Sequence, residues 1–245
     1  MSEENKKIDS LKEKLFYTQK HASEIISDDE TKKADEFCDG YMDFLRTAKT
    51  EREATEYFVE KAEKLGFKPF VRGEKYKCGD KVYLNNRGKA VILCVMGKEP
   101  VENGIRLSAA HIDSPRLDLK PNPLYEDNEL AYFKTHYYGG IKKYQWTAMP
   151  LSLHGVMVKK DGSKVKVNIG EDDGDPMFVV TDLLPHLAAE QMKRTLSDGI
   201  RGEELNILIG SRPFSKDEGS GRFRTCSASC TLPSCEARQP WCSCS

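Results

Sequence analysis

The 245-residue sequence has no excess of charge of either sign, with 38 Lys and Arg against 39 Asp and Glu. A balance so close leaves no electrostatic footprint for a nucleic acid or an acidic membrane surface, and neither is expected as a partner. No apolar run approaches the length needed to cross a bilayer. The opening stretch from Met1 to Lys7 lacks the apolar core of a signal peptide. Charged residues make up 31% and hydrophobic residues 38% of the chain, which suits a soluble globular protein. A cytoplasmic location is the expectation. No internal repeat is present.

Cysteine is sparse in the body of the chain and crowded at its end. Cys38, Cys78 and Cys94 are scattered, as reduced thiols of a cytosolic protein are. Cys226, Cys230, Cys235, Cys242 and Cys244 fall in the last twenty residues. That tail contains no Cys-x-x-Cys pair and no His, which argues against a zinc module, and a cytosolic compartment argues against disulfides. From about Ser220 the text is dense in Ser, Cys, Arg and Pro and has no periodicity that could bury a face. Residues 216–245 are therefore expected to be a disordered tail translated out of frame, with the shift near residues 219–223.

The first half reads as helix, then strand. Between Asp28 and Arg46, the residues Ala34, Phe37, Cys38, Tyr41, Phe44 and Leu45 recur at helical spacing, which predicts a core helix. A second core helix is predicted from Thr50, a cap that Glu53 can reciprocate, through Ala54, Tyr57, Phe58, Ala62 and Leu65 to a stop at Gly66. Residues 81–84 and 90–96 flank the turn-forming Asn85-Asn86-Arg87-Gly88 and predict a hairpin. Arg106 to Ala110 is expected to be a short strand in the middle of a sheet, ending at His111.

From Pro115 the texture changes. Pro115, Pro121 and Pro123 are expected to break regular structure. Strands are then expected around 131–136, 151–159, 164–169 and 177–180, with one helix near 183–194. The fold class is α/β, with a second, mostly β unit of about 100 residues beginning just after Asp113.

His111 and Asp113 are the candidate chemical residues. In open α/β sheets ligands bind beyond the carboxyl ends of strands. A His there can offer one ring nitrogen to a metal while an Asp two residues on hydrogen-bonds the other. His-x-Asp alone is a common accident, and satisfaction of a loop is the competing reading.

The longer string from Ala109 to Pro121, AAHIDSPRLDLKP, resembles the signature of M18 aminopeptidases around their first metal ligand. The stretch from Thr135 to Trp146, THYYGGIKKYQW, resembles the Tyr-Gly-Gly region of the same family's inserted domain. The resemblance runs over roughly residues 10–215 and is nearest the bacterial aminopeptidase I-like branch. It implies a partial three-layer metallopeptidase domain in residues 1–113 and an inserted β-rich dimerisation domain in 114–215. It implies a homo-oligomer, peptide substrates and two zinc ions per complete site. His111 would be a zinc ligand and Asp113 the catalytic-site carboxylate that orients it. Aspartyl-type members place a His after the glycines, where this sequence has Lys142 to Trp146 without one.

The remaining polar clusters carry no assignment. His136 and His154 read as structural. Asp172, Asp173 and Asp175 read as a solvated turn, and Glu203-Glu204 as part of the β unit. A two-zinc site needs more ligands than these, since each ion takes about four donors. The chain alone is therefore expected to be inactive, or to serve as a non-catalytic self-association module.

Overall fold

A hydroxyl residue starts each of the two long helices. The computed structural model describes residues 11–211, apart from 13 and 18. It falls into two compact units, Met1–Ala48 and Lys49–Ser245. The expected cysteine-rich tail lies outside the described residues.

In the first unit, α1 spans Asp28–Thr47. Ser27 accepts from the Glu30 amide while Glu30 accepts from the Ser27 amide at 2.8 Å, a reciprocal cap. Asp28, Asp29 and Glu30 place negative charge on the first turn, where the helix dipole favours it. The helix forms where the periodicity predicts, but it is not a core helix. None of its residues is buried, and Phe37 is 77% exposed. An apolar stripe selects the helix, whereas burial needs a second apolar surface. The described residues from 11 to 27 are themselves exposed.

The second unit opens with α2, Glu51–Lys64. Thr50 accepts from the Glu53 amide at 3.3 Å, and Glu53 returns by accepting from the Thr50 amide at 2.9 Å. Gly66 follows the helix at φ +84°, the left-handed conformation that ends it cheaply. Ala54, Thr55 and Ala62 are buried. The hydroxyl of Tyr83 donates to Glu63 at 2.6 Å and ties α2 to the strands beyond it.

Those strands are β1 (Lys68–Pro69), β2 (Lys81–Asn86) and β3 (Ala90–Val95). They form a sheet in the order β1-β2-β3, with β2 and β3 antiparallel from Lys81↔Val95 to Asn86↔Ala90. The hairpin is the one the Asn-Asn-Arg-Gly turn predicts. The expected central strand at 106–110 does not form. Residues 104–115 have no regular structure and 101–111 are all exposed. A central strand exists only between two neighbours, and among the described residues no strand pairs with this segment.

The β-rich portion contains β4 (Arg116–Asp127), β5 (Leu130–Tyr138), β6 (Leu153–Val158), β7 (Lys164–Ile169), β8 (Val179–Val180) and β9 (Ile207–Gly210). Four of them make a sheet in the order β4-β5-β9-β8, and β6 pairs with β7. The expected strands at 131–136, 151–159, 164–169 and 177–180 appear as β5 to β8. The prolines do not end β4. The register passes from Leu119↔Thr135 to Leu124↔Phe133, so residues 120–123 bulge opposite Lys134. Pro121 and Pro123 sit in that bulge, where a missing N–H removes no bond to β5.

Phe178, Val180, Ile200, Leu205 and Ile207 form the core here, with Phe133, Tyr137 and Trp146 packed against them. Thr135 donates its hydroxyl to the Leu205 carbonyl inside it. Gly202 is required by sterics, because a Cβ there would lie 2.8 Å from the Tyr137 ring. The expected helix at 183–194 is replaced by turns and a 3-10 segment, Gln191–Lys193. Leu183, Leu184, Leu187 and Met192 are exposed, so the packing that sustains most short helices is missing.

Candidate functional site

The two motifs that carry the family resemblance meet in space. β4 and β5 pair so that Arg116 lies opposite Tyr138. The pairing brings the residues just before β4, including His111 and Asp113, beside the end of β5. Tyr138 donates its hydroxyl to Asp113 Oδ2 at 2.6 Å. The Arg116 guanidinium stacks over the Tyr138 ring, 4.2 Å from its centroid, and donates through Nε to Asp118 at 2.7 Å. Gly139, at φ +82°, turns the chain against Pro115, whose atoms would lie 3.5 Å from a Cβ at that position.

Asp113 in turn faces His111. His111 Nδ1 lies 2.9 Å from the Asp113 carbonyl oxygen and 3.2 Å from Asp113 Oδ1. Both partners are acceptors, so Nδ1 must carry the proton. Nε2 of the neutral ring then holds a free lone pair, the form that binds a metal. The imidazole is 83% exposed, so that lone pair is accessible. The Tyr138 hydrogen bond, helped by a backbone donor and by His111, holds the Asp113 carboxyl below its ordinary value. The same bond pushes the Tyr138 hydroxyl up. Proton donation from Tyr138 thus keeps Asp113 ionised and able to accept from His111.

Sequence spacing identifies His111 and Asp113 but not Tyr138, because the contact runs across a strand pair. The position of both motifs at one end of a strand pair is the signal that would have found it.

A second polar cluster links α2 to β6. The side chain of His154 is 9% exposed and lies between two carboxylates, with Nδ1 3.0 Å from Glu53 Oε1 and Nε2 3.1 Å from Glu171 Oε1. Ser152 donates to the same Glu171 oxygen at 2.7 Å. Those two hydrogen bonds, Ser152 first, hold Glu171 below its ordinary value. Glu53 therefore serves both the helix cap and His154. The two nitrogens of His154 point to opposite sides, which suits a bridge rather than a ligand.

The other clusters are internally satisfied. His136 stacks on Tyr137 with centroids 5.5 Å apart. Asp175 accepts from the Gly170 amide at 2.7 Å and closes the acidic turn. Glu203 pairs with Lys120 at 2.6 Å, and Glu204 with Arg194 at 2.9 Å. Cys38, Cys78 and Cys94 are free thiols. No described helix is long and apolar enough to cross a membrane.

An antiparallel β unit joined to a helix and a hairpin defines a mixed α/β protein, with an oriented His just before the first strand of that unit. A sequence model of the family described as aminopeptidase I zinc metalloprotease (M18) matches residues 44–227, and the chain belongs to that family. It is 51% identical over 208 residues to a probable M18 family aminopeptidase 1 from Clostridium acetobutylicum, covering 83% of this chain and 45% of that protein. Among solved structures, an M18 aminopeptidase from Thermotoga maritima shares 40% identity at a TM-score of 0.75, covering 83% of this chain and 44% of that one. Aminopeptidase I from Borrelia burgdorferi shares 39% identity at a TM-score of 0.71, covering 84% and 46%. The chain thus spans less than half the length of the curated relatives it matches.

The donors among the described residues do not complete a zinc site. Among the described residues, no group of three or more His, Cys, Asp or Glu side chains converges as a metal site. His111 offers one nitrogen, and Asp113 is turned to His111 and Tyr138. Catalytic zinc takes about three protein ligands and a water.

Proposed function

We propose that the chain carries the first-ligand portion of a zinc metallo-aminopeptidase that removes N-terminal residues from peptides, and that alone it does not turn over. The observation that supports this reading is the relay from Tyr138 through Asp113 to His111, which leaves Nε2 of an exposed imidazole free. Residues up to 113 belong to a catalytic α/β domain and those from 114 to an inserted β domain. His111 is a zinc ligand, Asp113 orients it, and Tyr138 holds Asp113. A complete site takes two zinc ions, and the location is the cytoplasm.

The test is zinc binding and peptide turnover by the purified chain. Weak zinc retention through His111, lost in His111→Ala, with no release of N-terminal residues, is expected. Full zinc occupancy with normal turnover by this polypeptide would falsify the inactivity. Zinc retention unchanged in His111→Ala would remove the ligand assignment.

A second reading is favoured by the exposed Met177, Leu183, Leu187, Met192 and Leu196. Apolar side chains this concentrated suit self-association of the β unit. Light scattering separates a defined homo-oligomer from a monomer or an open-ended aggregate.

A further inference from the structure

Tyr138 sits on the last rung of the β4–β5 ladder and is 42% exposed, and the Asp113 side chain that accepts from it is 34% exposed. A hydrogen bond between two groups so open to water competes with solvent and holds little by itself. Arg116 lies directly opposite on β4 and lays its guanidinium over the Tyr138 ring, 4.2 Å from the centroid. That plane is held from three directions. Nε donates to Asp118 Oδ1 at 2.7 Å, two residues on along the same face of β4. Nη1 donates to the Ser114 carbonyl at 3.4 Å and lies 3.9 Å from Glu51 Oε2 at the start of α2. The Arg116 side chain is 28% exposed, so the plate is firmer than the ring it covers.

We propose that Arg116 is a positioning residue of the His111 site: it pins the Tyr138 ring, and through Tyr138 and Asp113 it sets which nitrogen of His111 carries the proton. The role asks for a flat cation. A guanidinium can stack on a ring with its face while its edge donates to Asp118 and Ser114, whereas a lysine ammonium is a point charge that cannot do both. Removing the plate frees Tyr138 to exchange Asp113 for water. Asp113 then loses the donor that faces its Oδ2, and His111 loses part of what fixes its tautomer. Glu51 brings the start of α2 into the same network, so the helix and the strand pair meet at the guanidinium. That the orientation of His111 serves metal binding rests on the metallo-aminopeptidase reading; the control of the ring by Arg116 does not.

The experiment reads the ring nitrogens of His111 by NMR in the full 245-residue chain, at about pH 8, where imidazoles are neutral. His111→Ala assigns the signals. The Nδ1–H form is expected to dominate. Arg116→Lys keeps the charge and Arg116→Leu removes it. Each should lower the ratio of Nδ1–H to Nε2–H by roughly threefold, the size of an exposed cation–π contact. Arg116→Lys is the milder change and keeps the test open if Arg116→Leu does not fold. In a Tyr138→Phe background Arg116→Lys should add nothing, because the hydroxyl through which Arg116 acts is already gone.

A lower melting temperature with an unchanged ratio assigns Arg116 to sheet stability alone and overturns the proposal. A ratio restored by Lys shows that charge suffices and overturns the stacking role. A further fall in the Tyr138→Phe background routes the effect through the Ser114 carbonyl and overturns the path through Tyr138. Added zinc ions are a separate readout. A ratio that follows Arg116 while zinc leaves the His111 nitrogens unmoved upholds the positioning role and refutes the ligand assignment.

Discussion

Tyr138 and Asp113, separated by 25 positions, are joined by a 2.6 Å hydrogen bond at the end of the β4–β5 pair. The bond makes the orientation of His111 depend on a residue outside its own loop. Tyr138→Phe removes the donor that most strongly keeps Asp113 ionised. His111 should then lose its single tautomer, and nitrogen chemical shifts should show the proton shared between Nδ1 and Nε2. An unchanged tautomer would show that the Asp113 carbonyl alone holds the ring.

His154 fastens α2 to the β6–β7 hairpin. His154→Leu would leave Glu53 and Glu171 facing an apolar side chain. Both carboxylates retain partial access to water, so the loss should be about 1 kcal/mol, the low end for stranded polar groups. The melting temperature should fall by about 2–4 °C, and by less in His154→Gln, which keeps a donor. Equal melting of all three proteins would make the bridge energetically silent.

Glu171 contributes to the pH dependence of stability. Its folded pKa is depressed below 4.5, mainly by Ser152 and then by His154. A depressed carboxyl contributes stability that is present above the unfolded value and is lost as pH falls through the folded value. Ser152→Ala should move the Glu171 titration upward and reduce the stability difference between pH 7 and pH 3. Carbon-detected NMR titration of the carboxyl reads this directly, and an unmoved midpoint would assign the depression to other groups.

Gly202 packs against a ring. Gly202→Ala should cost about 1–3 kcal/mol, the usual penalty for overpacking, because its Cβ would meet Tyr137 at 2.8 Å. Combining it with Tyr137→Val should restore part of that loss, since the two sites are in contact. Purely additive losses in denaturant melts would place the strain elsewhere.

Local signals survived translation into structure, and signals that depend on neighbours did not. Thr50 and Glu53 form their cap, and Asn85 to Gly88 their turn, because the partners lie within a few residues. Arg106–Ala110 has strand composition yet no strand, since pairing partners are not specified by the segment itself. The stretch 183–194 has helical spacing, but its leucines find no cover. Pro121 and Pro123 misled for the opposite reason, because a bulge gave them a place that spacing does not reveal. At the site, His111 and Asp113 were legible as a short motif. Tyr138 was not, because it reaches Asp113 through sheet register. Nor were the partners of His154, which lie 101 and 17 positions away.

The prolines of β4 have a consequence for how the molecule can grow. β4 is the outer strand of its sheet, and Pro121 and Pro123 cannot offer an N–H to anything that approaches from outside. A stranger chain would meet a ladder with missing rungs on that side, bent further by the bulge. Accretion of further strands along β4 is thus hindered by two residues that carry no charge.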